Sequence, residues 1–288
     1  LGDSATVNFG SLEFNGSGAV AITEASATVV SVASSAGAGL SLTSNNDITI
    51  NGTVSIVGDT TITAGTVTGR IDINAKLTGS GTILLDAADD ISIDAAVDPT
   101  TVTIEADDDI TINAPVTATA LITVTAGLDG SGSATLDGTL PETGSLTTSA
   151  AGSDIAITTG ATTGSITLDG NVTTLDRLTL TSAGTGDINQ FSGMLLAANL
   201  QTTGTGAVTL NQASNDFTTV AADLNPGSFS LTDTNDVTVG TVATVGIQTG
   251  DPTTGGDVTI NALSGTITVD EAISTAVGTG GGITLSGS

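Results

Sequence analysis

The 288-residue chain lacks several residue types on which enzymes and nucleic-acid-binding proteins depend. It contains no Cys, His, Tyr or Trp, so it offers no thiol nucleophile, no imidazole base and no disulfide framework. Lys and Arg together number 3 and the formal net charge is −27, so DNA, RNA and anionic membranes are poor partners. No apolar run approaches the roughly 18 residues of a membrane-spanning helix. We therefore expect no catalysis, no nucleic-acid binding and no membrane insertion.

The acidic residues comprise 25 Asp and 5 Glu. Asp favours turns, where its short side chain bonds the nearby backbone, whereas Glu favours helices. Apolar residues make up 38% of the chain and are regularly placed, which argues against disorder. The composition therefore predicts an ordered protein with many turns and little helix.

A degenerate seven-residue phrase, apolar-x-apolar-(Asn/Asp)-(Gly/Ala)-x-apolar, recurs at intervals near twenty residues. Its clearest copies begin at Ile48, Ile71, Ile91 and Ile110. Looser copies occupy 134–140, 166–172 and 267–273. Further along the chain, the apolar residues that mark a repeat are Ile188, Val208, Phe229, Val237, Val258 and Ile283. A repeat of this length indicates stacked supersecondary units in a solenoid rather than a closed globular core.

Each repeat contains two clear strands and a shorter third, and in each of them apolar and polar residues alternate, as residues 91–104 illustrate. Strands this short do not form a stable flat sheet alone, but coiled into rungs they pair with the strands above and below. The sequence therefore predicts an all-β fold, a single-stranded parallel β-helix with 20–23 residues per rung. About 13 or 14 rungs at roughly 4.8 Å would give a rod on the order of 65 Å long.

Asn or Asp follows the second apolar residue of the phrase, and these residues turn corners readily. We expect them to form a hydrogen-bonded ladder along the rod. They are Asn51, Asn74, Asp94, Asn113, Asp137, Asp169, Asn211 and Asn261.

We predict one continuous solenoid over residues 1–288, with no linker between zones. Residues 1–45 form less regular rungs, 46–177 form regular rungs with Asn or Asp corners, and 178–288 follow a different pattern. We expect the chain to be a segment of a longer protein. Its end rungs would pair with further rungs or, head to tail, with another copy, because an open strand edge otherwise templates aggregation.

Four motifs in the third zone carry a resemblance: Gly-Asp-Ile-Asn-Gln at 186–190, Gly-Thr-Gly-Ala-Val-Thr-Leu at 204–210, Asn-Asp-Phe at 215–217 and Phe-Ser-Leu-Thr-Asp at 229–233. These rungs resemble the rod repeats of filamentous-haemagglutinin-type adhesins, the large exoproteins of bacterial two-partner secretion. The resemblance implies a right-handed, extracellular β-helical shaft. It also implies that binding to a host or matrix surface belongs to other regions of the protein.

Carboxylates directly precede many of the strands, and we expect them to lie near one edge of the rod. They are Asp47, Asp90, Asp109, Asp154, Asp187, Asp236 and Asp257. Arg70 holds the equivalent place between Asp47 and Asp90, where it would separate two carboxylates.

No cation separates Asp89 and Asp90 from Asp108 and Asp109 in the adjacent rung. Like charges about 4.8 Å apart repel by roughly 0.9 kcal/mol even in bulk water. Because Ca²⁺ takes six to eight oxygen ligands in loose geometry, these four residues are candidate calcium ligands. The alternative is an acidic edge that salt screens without specific binding, and the fold requires no cofactor.

Two weaker alternatives remain for the surface of the rod. The acids at 86, 89 and 90 could face those at 107–109 across a catalytic groove, although carbohydrate enzymes normally add aromatic and basic groups. A row of outward threonines (Thr49, Thr111, Thr135, Thr167, Thr209 and Thr259) could order water or ice, although Thr is also a good strand former. The sequence favours a non-catalytic shaft or filament segment of an extracellular adhesin or appendage. A calcium-dependent matrix- or polysaccharide-binding module is the alternative.

Overall fold

A computed structural model describes residues 11–138, 143–250, 254–275 and 281–288. Within these ranges the protein is all-β, contains no helix and winds into a parallel β-solenoid of about 12 turns, with about 22 residues per rung. The predicted fold class is therefore confirmed. Residues 1–10 of the first predicted zone and the end of the phrase at 134–140 lie outside the described ranges. The described rungs, stacked at about 4.8 Å, span on the order of 55 Å.

Each rung contributes strands to three faces of the solenoid, and face 1 carries the predicted phrase. Its strands are Thr28–Val30, Ile48–Ile50, Ile71–Ile73, Ile91–Ile93, Ile110–Ile112, Ala134–Leu136, Ile166–Leu168, Ile188–Gln190, Val208–Leu210, Phe229–Asp233, Val258–Ala262 and Ile283–Ser286. They pair in that order as one twelve-stranded parallel sheet.

Face 2 follows face 1 in each rung and face 3 completes the turn. Face 2 comprises Asn15–Gly16, Ser34–Ala36, Val54–Ile56, Leu77–Gly79, Val97–Asp98, Pro115–Ala118, Ser145–Thr148, Asn171–Thr173, Val237–Val239 and Ile267–Val269. Face 3 comprises Val20–Glu24, Leu40–Ser44, Thr60–Ala64, Thr82–Ala87, Thr101–Ala106, Leu121–Ala126, Asp154–Thr159, Arg177–Ser182, Ile247–Thr249 and Ile273–Ser274. Two long strands, Leu195–Gly204 and Asp216–Leu224, run through both faces and join them into one sheet.

The first apolar residues of successive phrases stack as one column, which we call the marker column. Ile48, Ile71, Ile91 and Ile110 are register partners in consecutive rungs, and each is at most 1% exposed. The column continues through Ala134, Ile166, Ile188, Val208, Phe229, Val258 and Ile283. Because inward side chains of all three faces meet in the same interior, a single hydrophobic core runs along the described solenoid.

Two predicted repeat markers were assigned to the wrong face. Val237 and Ile267 pair with each other on face 2, so the phrase at 267–273 is no copy of the face 1 phrase. Strands on every face alternate apolar and polar residues, and this pattern alone cannot tell the faces apart. The described residues form about 12 turns, fewer than the 13 or 14 rungs predicted for the chain, because 32 residues separate Ala134 from Ile166 and 29 separate Phe229 from Val258.

From residue 132 onward, the corner that leads from face 3 into face 1 carries a column of glycines two residues before the marker residues. The members of this glycine column are Gly132, Gly164, Gly186, Gly206, Gly227, Gly256 and Gly281. A Cβ atom on Gly206 would lie 2.1 Å from the Gly186 carbonyl oxygen, and one on Gly227 would lie 1.9 Å from that of Gly206. Glycine is needed here because successive backbones approach too closely for any side chain.

Candidate functional site

The predicted calcium ligands lie at this same corner, in the two rungs before the glycine column begins. Asp89 and Asp108 hold the places that glycine holds from Gly132 onward, and Asp90 and Asp109 follow them directly. Carboxylate oxygens of Asp89, Asp90 and Asp108 lie within 4.8 Å of one another, and we call these three residues the acidic corner cluster. The structure thus brings three of the four predicted ligands together.

Asp109, the fourth predicted ligand, is exposed and its carboxylate has another partner. Its Oδ1 atom accepts a hydrogen bond from the Ser133 N–H at 2.7 Å in the next rung. Asp90 is also engaged, because its Oδ1 accepts from the Asp109 N–H at 3.1 Å. The other Asp90 oxygen, Oδ2, lies 3.5 Å from the Arg70 guanidinium.

Arg70 lies between two carboxylates, as the sequence predicts, but it contacts them in different ways. Its backbone N–H donates to Asp47 Oδ1 at 3.1 Å, whereas its guanidinium pairs with Asp90 and reaches 4.0 Å from Asp72. The cation therefore neutralises one side of the acidic corner cluster. Asp89 and Asp108 form the side that Arg70 does not contact.

The electrostatics of the corner reflect this arrangement. Burial, followed by the negative charges of its neighbours, raises the pKa of Asp108 above its usual value. The neighbouring charges are those of Asp129, Asp89, Asp90 and Asp109. A cation held among these oxygens would favour the charged form of Asp108 and oppose that rise.

Carboxylates before the strands serve the backbone, a role that the sequence interpretation missed. Asp187 Oδ1 accepts from the Ala207 N–H at 2.8 Å, and Asp257 Oδ1 accepts from the Gly282 N–H at 2.7 Å. Asp47, Asp90 and Asp109 do the same for the rungs that follow them. Each carboxylate thus supplies an acceptor for a corner amide of the next rung. The motif Gly-(Asp/Ser)-apolar-x-apolar, which begins at 132, 164, 227 and 256, is the signal that could have revealed this corner.

Two members of the predicted acidic edge lie at other corners. Asp154 begins a face 3 strand, and Asp236 precedes a face 2 strand. Both still bond the next rung, since Asp154 Oδ1 accepts from the Arg177 N–H at 3.1 Å and Asp236 Oδ1 from the Thr266 N–H at 2.7 Å. The prediction of one shared edge was wrong for these two, because residues of this type precede strands on all three faces.

The Asn and Asp corner after face 1 forms part of the predicted ladder. Asn74 Nδ2 donates to Asn51 Oδ1 at 3.0 Å, and Asn113 Nδ2 donates to Asp94 Oδ1 at 2.6 Å. A separate amide pair lies inside the core in later rungs: Asn215 exchanges two hydrogen bonds of 2.8 Å with Gln190 in the preceding rung.

Asp233 is a fully buried carboxylate one rung beyond this amide pair. Its Oδ2 accepts from the Phe217 N–H at 2.8 Å and its Oδ1 from the Asn235 N–H at 3.0 Å. Burial raises the pKa of Asp233 to about 6, although the two backbone hydrogen bonds act in the opposite direction.

All three cations of the chain are paired with aspartates of neighbouring rungs. Lys76 Nζ lies 2.6 Å from Asp98, and Arg177 Nη2 lies 2.8 Å from Asp154. Together with the pairing of Arg70, this leaves the described surface acidic or rich in hydroxyl groups. Face 3, for example, presents Asp86 beside Glu105, and burial, followed by the charge of Asp107, raises the pKa of Asp86.

No family model, curated protein or solved structure matches this chain. Among the described residues, no helix has the length and apolar character of a membrane span.

Proposed function

We propose that this chain is a shaft segment of an extracellular bacterial adhesin or surface appendage, and that it is not an enzyme. One observation supports this most strongly: the marker column runs without interruption from Ile48 to Ile283, so the same backbone pairing extends along the rod. A solenoid of this kind resists bending through its axial hydrogen bonds and holds its two ends at a fixed distance. The resemblance of residues 178–242 to haemagglutinin-type rod repeats points the same way.

The surface chemistry also suits a passive spacer. Every Lys and Arg side chain is paired within the rod, so no free cation is available to bind an anionic ligand. A net charge of −27 keeps neighbouring rods apart and favours solubility.

A shear-adhesion assay tests the shaft function. The chain is placed between a cell-surface anchor and an unrelated binding domain, and adhesion of cells under flow is measured. A disordered Gly/Ser linker of equal residue number is the control, because it is a flexible coil without ordered backbone pairing. We expect the solenoid to hold the binding domain at a fixed distance from the cell and to retain adhesion better than the linker. Equal adhesion with both spacers would contradict the proposal.

Calcium binding is the second candidate, within a module that binds a matrix or polysaccharide. It is favoured by the three carboxylates of the acidic corner cluster and by the raised pKa of Asp108. Such an ion would replace mutual repulsion among Asp89, Asp90 and Asp108 with shared coordination.

Thermal unfolding with and without Ca²⁺ tests this candidate. A specific site stabilises the folded state by about 2.7 kcal/mol at a hundredfold excess over its dissociation constant, so the melting temperature should rise. Asp108→Asn should abolish the rise, whereas Asp169→Asn, a half-buried corner residue outside the cluster, should not. An unchanged melting temperature in the wild type, together with no heat of binding, would dispose of the site. A glycan array with and without Ca²⁺ would then test matrix or polysaccharide binding separately.

A further inference from the structure

Residues 240–246 leave the ordinary path of the corner between faces 2 and 3 and form a small outward hairpin, which we call the strap. The Gly246 N–H donates to the Gly240 carbonyl at 2.9 Å and closes the base of the strap. Thr241 and Val245 form an antiparallel bridge within it, while the strand pairings of the described residues are otherwise parallel.

The strap contacts Gln201, which lies two rungs earlier. Gln201 Oε1 accepts from the N–H groups of Ala243 at 3.1 Å and Thr244 at 3.0 Å, and Gln201 Nε2 donates to Thr244 Oγ1 at 2.9 Å. Gln201 and its register partner Thr179 both lie on the outer surface of the solenoid. Thr179 is half-buried, whereas Gln201 is only 2% exposed, because the strap covers the Gln201 side chain.

These hydrogen bonds skip a rung, which sets them apart. They join residues 42 and 43 positions apart, whereas other side-chain bonds between rungs of the described chain span 16 to 32 positions. The strap also contacts the rung between, where the Ala222 N–H donates to the Gly246 carbonyl at 3.0 Å. On its other side, Thr241 Oγ1 donates to Glu271 Oε1 at 3.3 Å in the following rung. Four consecutive rungs thus meet at one hairpin.

In a solenoid each rung otherwise contacts only its two neighbours, so rungs near an end open one at a time. We propose that the strap is a clasp that makes these four rungs open as one cooperative unit. The inference rests on the proposed shaft function for its biological value, because a load-bearing rod gains from a region that resists stepwise unzipping.

Native-state hydrogen exchange with mass spectrometry tests the clasp on the isolated full chain. Gln201→Ala leaves two strap N–H groups without their acceptor, so exchange in Ile247–Thr249 should accelerate by about tenfold. The strands Ile91–Ile93 and Ile110–Ile112 should keep wild-type protection. Gln212→Ala is the matched control, because Gln212 Nε2 bonds only the Phe191 carbonyl of the adjacent rung, at 2.8 Å.

A second variant keeps the test decisive if Gln201→Ala fails to fold. Thr244→Val removes one strap hydroxyl outside the core and should accelerate exchange in the same segment by a few fold. The clasp is refuted if Gln201→Ala and Gln212→Ala lower protection equally, or if Thr244→Val leaves exchange unchanged. It is also refuted if wild-type 247–249 opens independently of Asp216–Leu224. Because this measurement involves no cell or load, its outcome is independent of the shear-adhesion result.

Discussion

Aspartate at the corners of this solenoid carries charge and also completes the hydrogen bonding of the backbone. The acceptor in these bonds is one carboxylate oxygen, so the neutral amide of Asn can replace it while Ala cannot. The same logic explains why Ser133 and Ser228 occupy the equivalent place in other rungs, where their hydroxyl groups accept from the next rung at 3.2 and 3.1 Å. Where Asp or Ser occupies this place, the side chain supplies an acceptor, and the charge of Asp is not needed for that bond.

We expect Asp187→Ala to lower the free energy of unfolding by about 1 kcal/mol, the usual cost of losing a cap that accepts a backbone N–H. Asp187→Asn keeps the acceptor for Ala207 and should change stability by only a few tenths. Urea unfolding measures both. Asp223→Ala, an exposed charge on face 3, is the control and should stay within about 0.5 kcal/mol of wild type. A loss as large in Asp187→Asn as in Asp187→Ala would show that charge matters more than the acceptor.

The raised pKa of Asp233 predicts how the free energy of unfolding depends on pH. Its pKa is about 6 in the folded chain, against an ordinary 3.8, so between these values the folded state binds more protons than the unfolded state. The free energy of unfolding should therefore rise as pH falls from about 6 towards 4, by up to about 1.4 kcal/mol per pH unit from this group. Above pH 6 both states are ionised and this dependence ends.

Melting temperatures at pH 7, 6 and 5 check this expectation. Asp233→Asn removes the titrating group, so its melting temperature should rise less than that of the wild type on acidification. A smaller rise should remain, because burial and neighbouring carboxylates also raise the pKa values of Asp86 and Asp108. Identical pH profiles for the wild type and Asp233→Asn would contradict the prediction.

At the scale of the structural element, the corner between faces 3 and 1 is the tightest part of a rung. Each glycine of the glycine column after Gly132 lies against the carbonyl of the glycine before it, which lets consecutive backbones stack closely. Where Asp89 and Asp108 replace glycine, the corner carries side chains, and the Asp108 N–H donates to the Asp89 carbonyl at 3.3 Å. The acidic corner cluster therefore lies in the part of the corner that precedes the glycine column.

We expect Gly206→Ala to lower the free energy of unfolding by about 1–3 kcal/mol, because its Cβ would lie 2.1 Å from the Gly186 oxygen and the backbone must shift. Gly18→Ala, at a corner with no atom within 4 Å of the added Cβ, is the control and should be close to neutral or slightly stabilising. Denaturant titration distinguishes the two. Equal effects would show that conformational freedom, not backbone contact, selects glycine in this column.

Some of the strands and corners could be predicted from the sequence, and others could not. The column formed by Ile48, Ile71, Ile91 and Ile110 could be predicted, because a constant local pattern that recurs about every twenty residues indicates repeats stacked in register. The face to which Val237 belongs was not predictable, because alternation of apolar and polar residues is common to all three faces.

The acidic corner cluster was predicted from charge spacing. The backbone partner of Asp109 was not, because hydrogen bonds between rungs depend on the path of the corner. The strap was missed since its contacts join residues 42 and 43 positions apart.

At the scale of the whole molecule, the two ends of the described solenoid differ. The last rungs expose residues that belong to core columns elsewhere, with Val269 47%, Ile283 49% and Leu285 41% exposed. Leu12 and Phe14 at the other end are 7% and 8% exposed. The open strands at the exposed end offer unpaired backbone groups that a further rung of the same protein, or of another copy, would complete.

We therefore expect this chain to self-associate through its last rung as its concentration rises. Sedimentation velocity should detect the association, and Ile283→Lys should weaken it by placing a charge in an apolar column. Val67→Lys, in a corner where the side chain is 78% exposed, should leave association unchanged. A wild-type chain that stays monomeric at every concentration tested would contradict head-to-tail assembly.

The carboxylates before face 1 have one orientation in common: Asp47, Asp90, Asp109, Asp187 and Asp257 each accept from the rung that follows and not from the one that precedes. The molecule consequently has a chemical direction. A completed rung presents carboxylate oxygens to the N–H groups of the rung that follows, so a chain that emerges amino-terminus first finds these acceptors already in place. Growth of the rod from its amino-terminal end would therefore follow the direction of these hydrogen bonds.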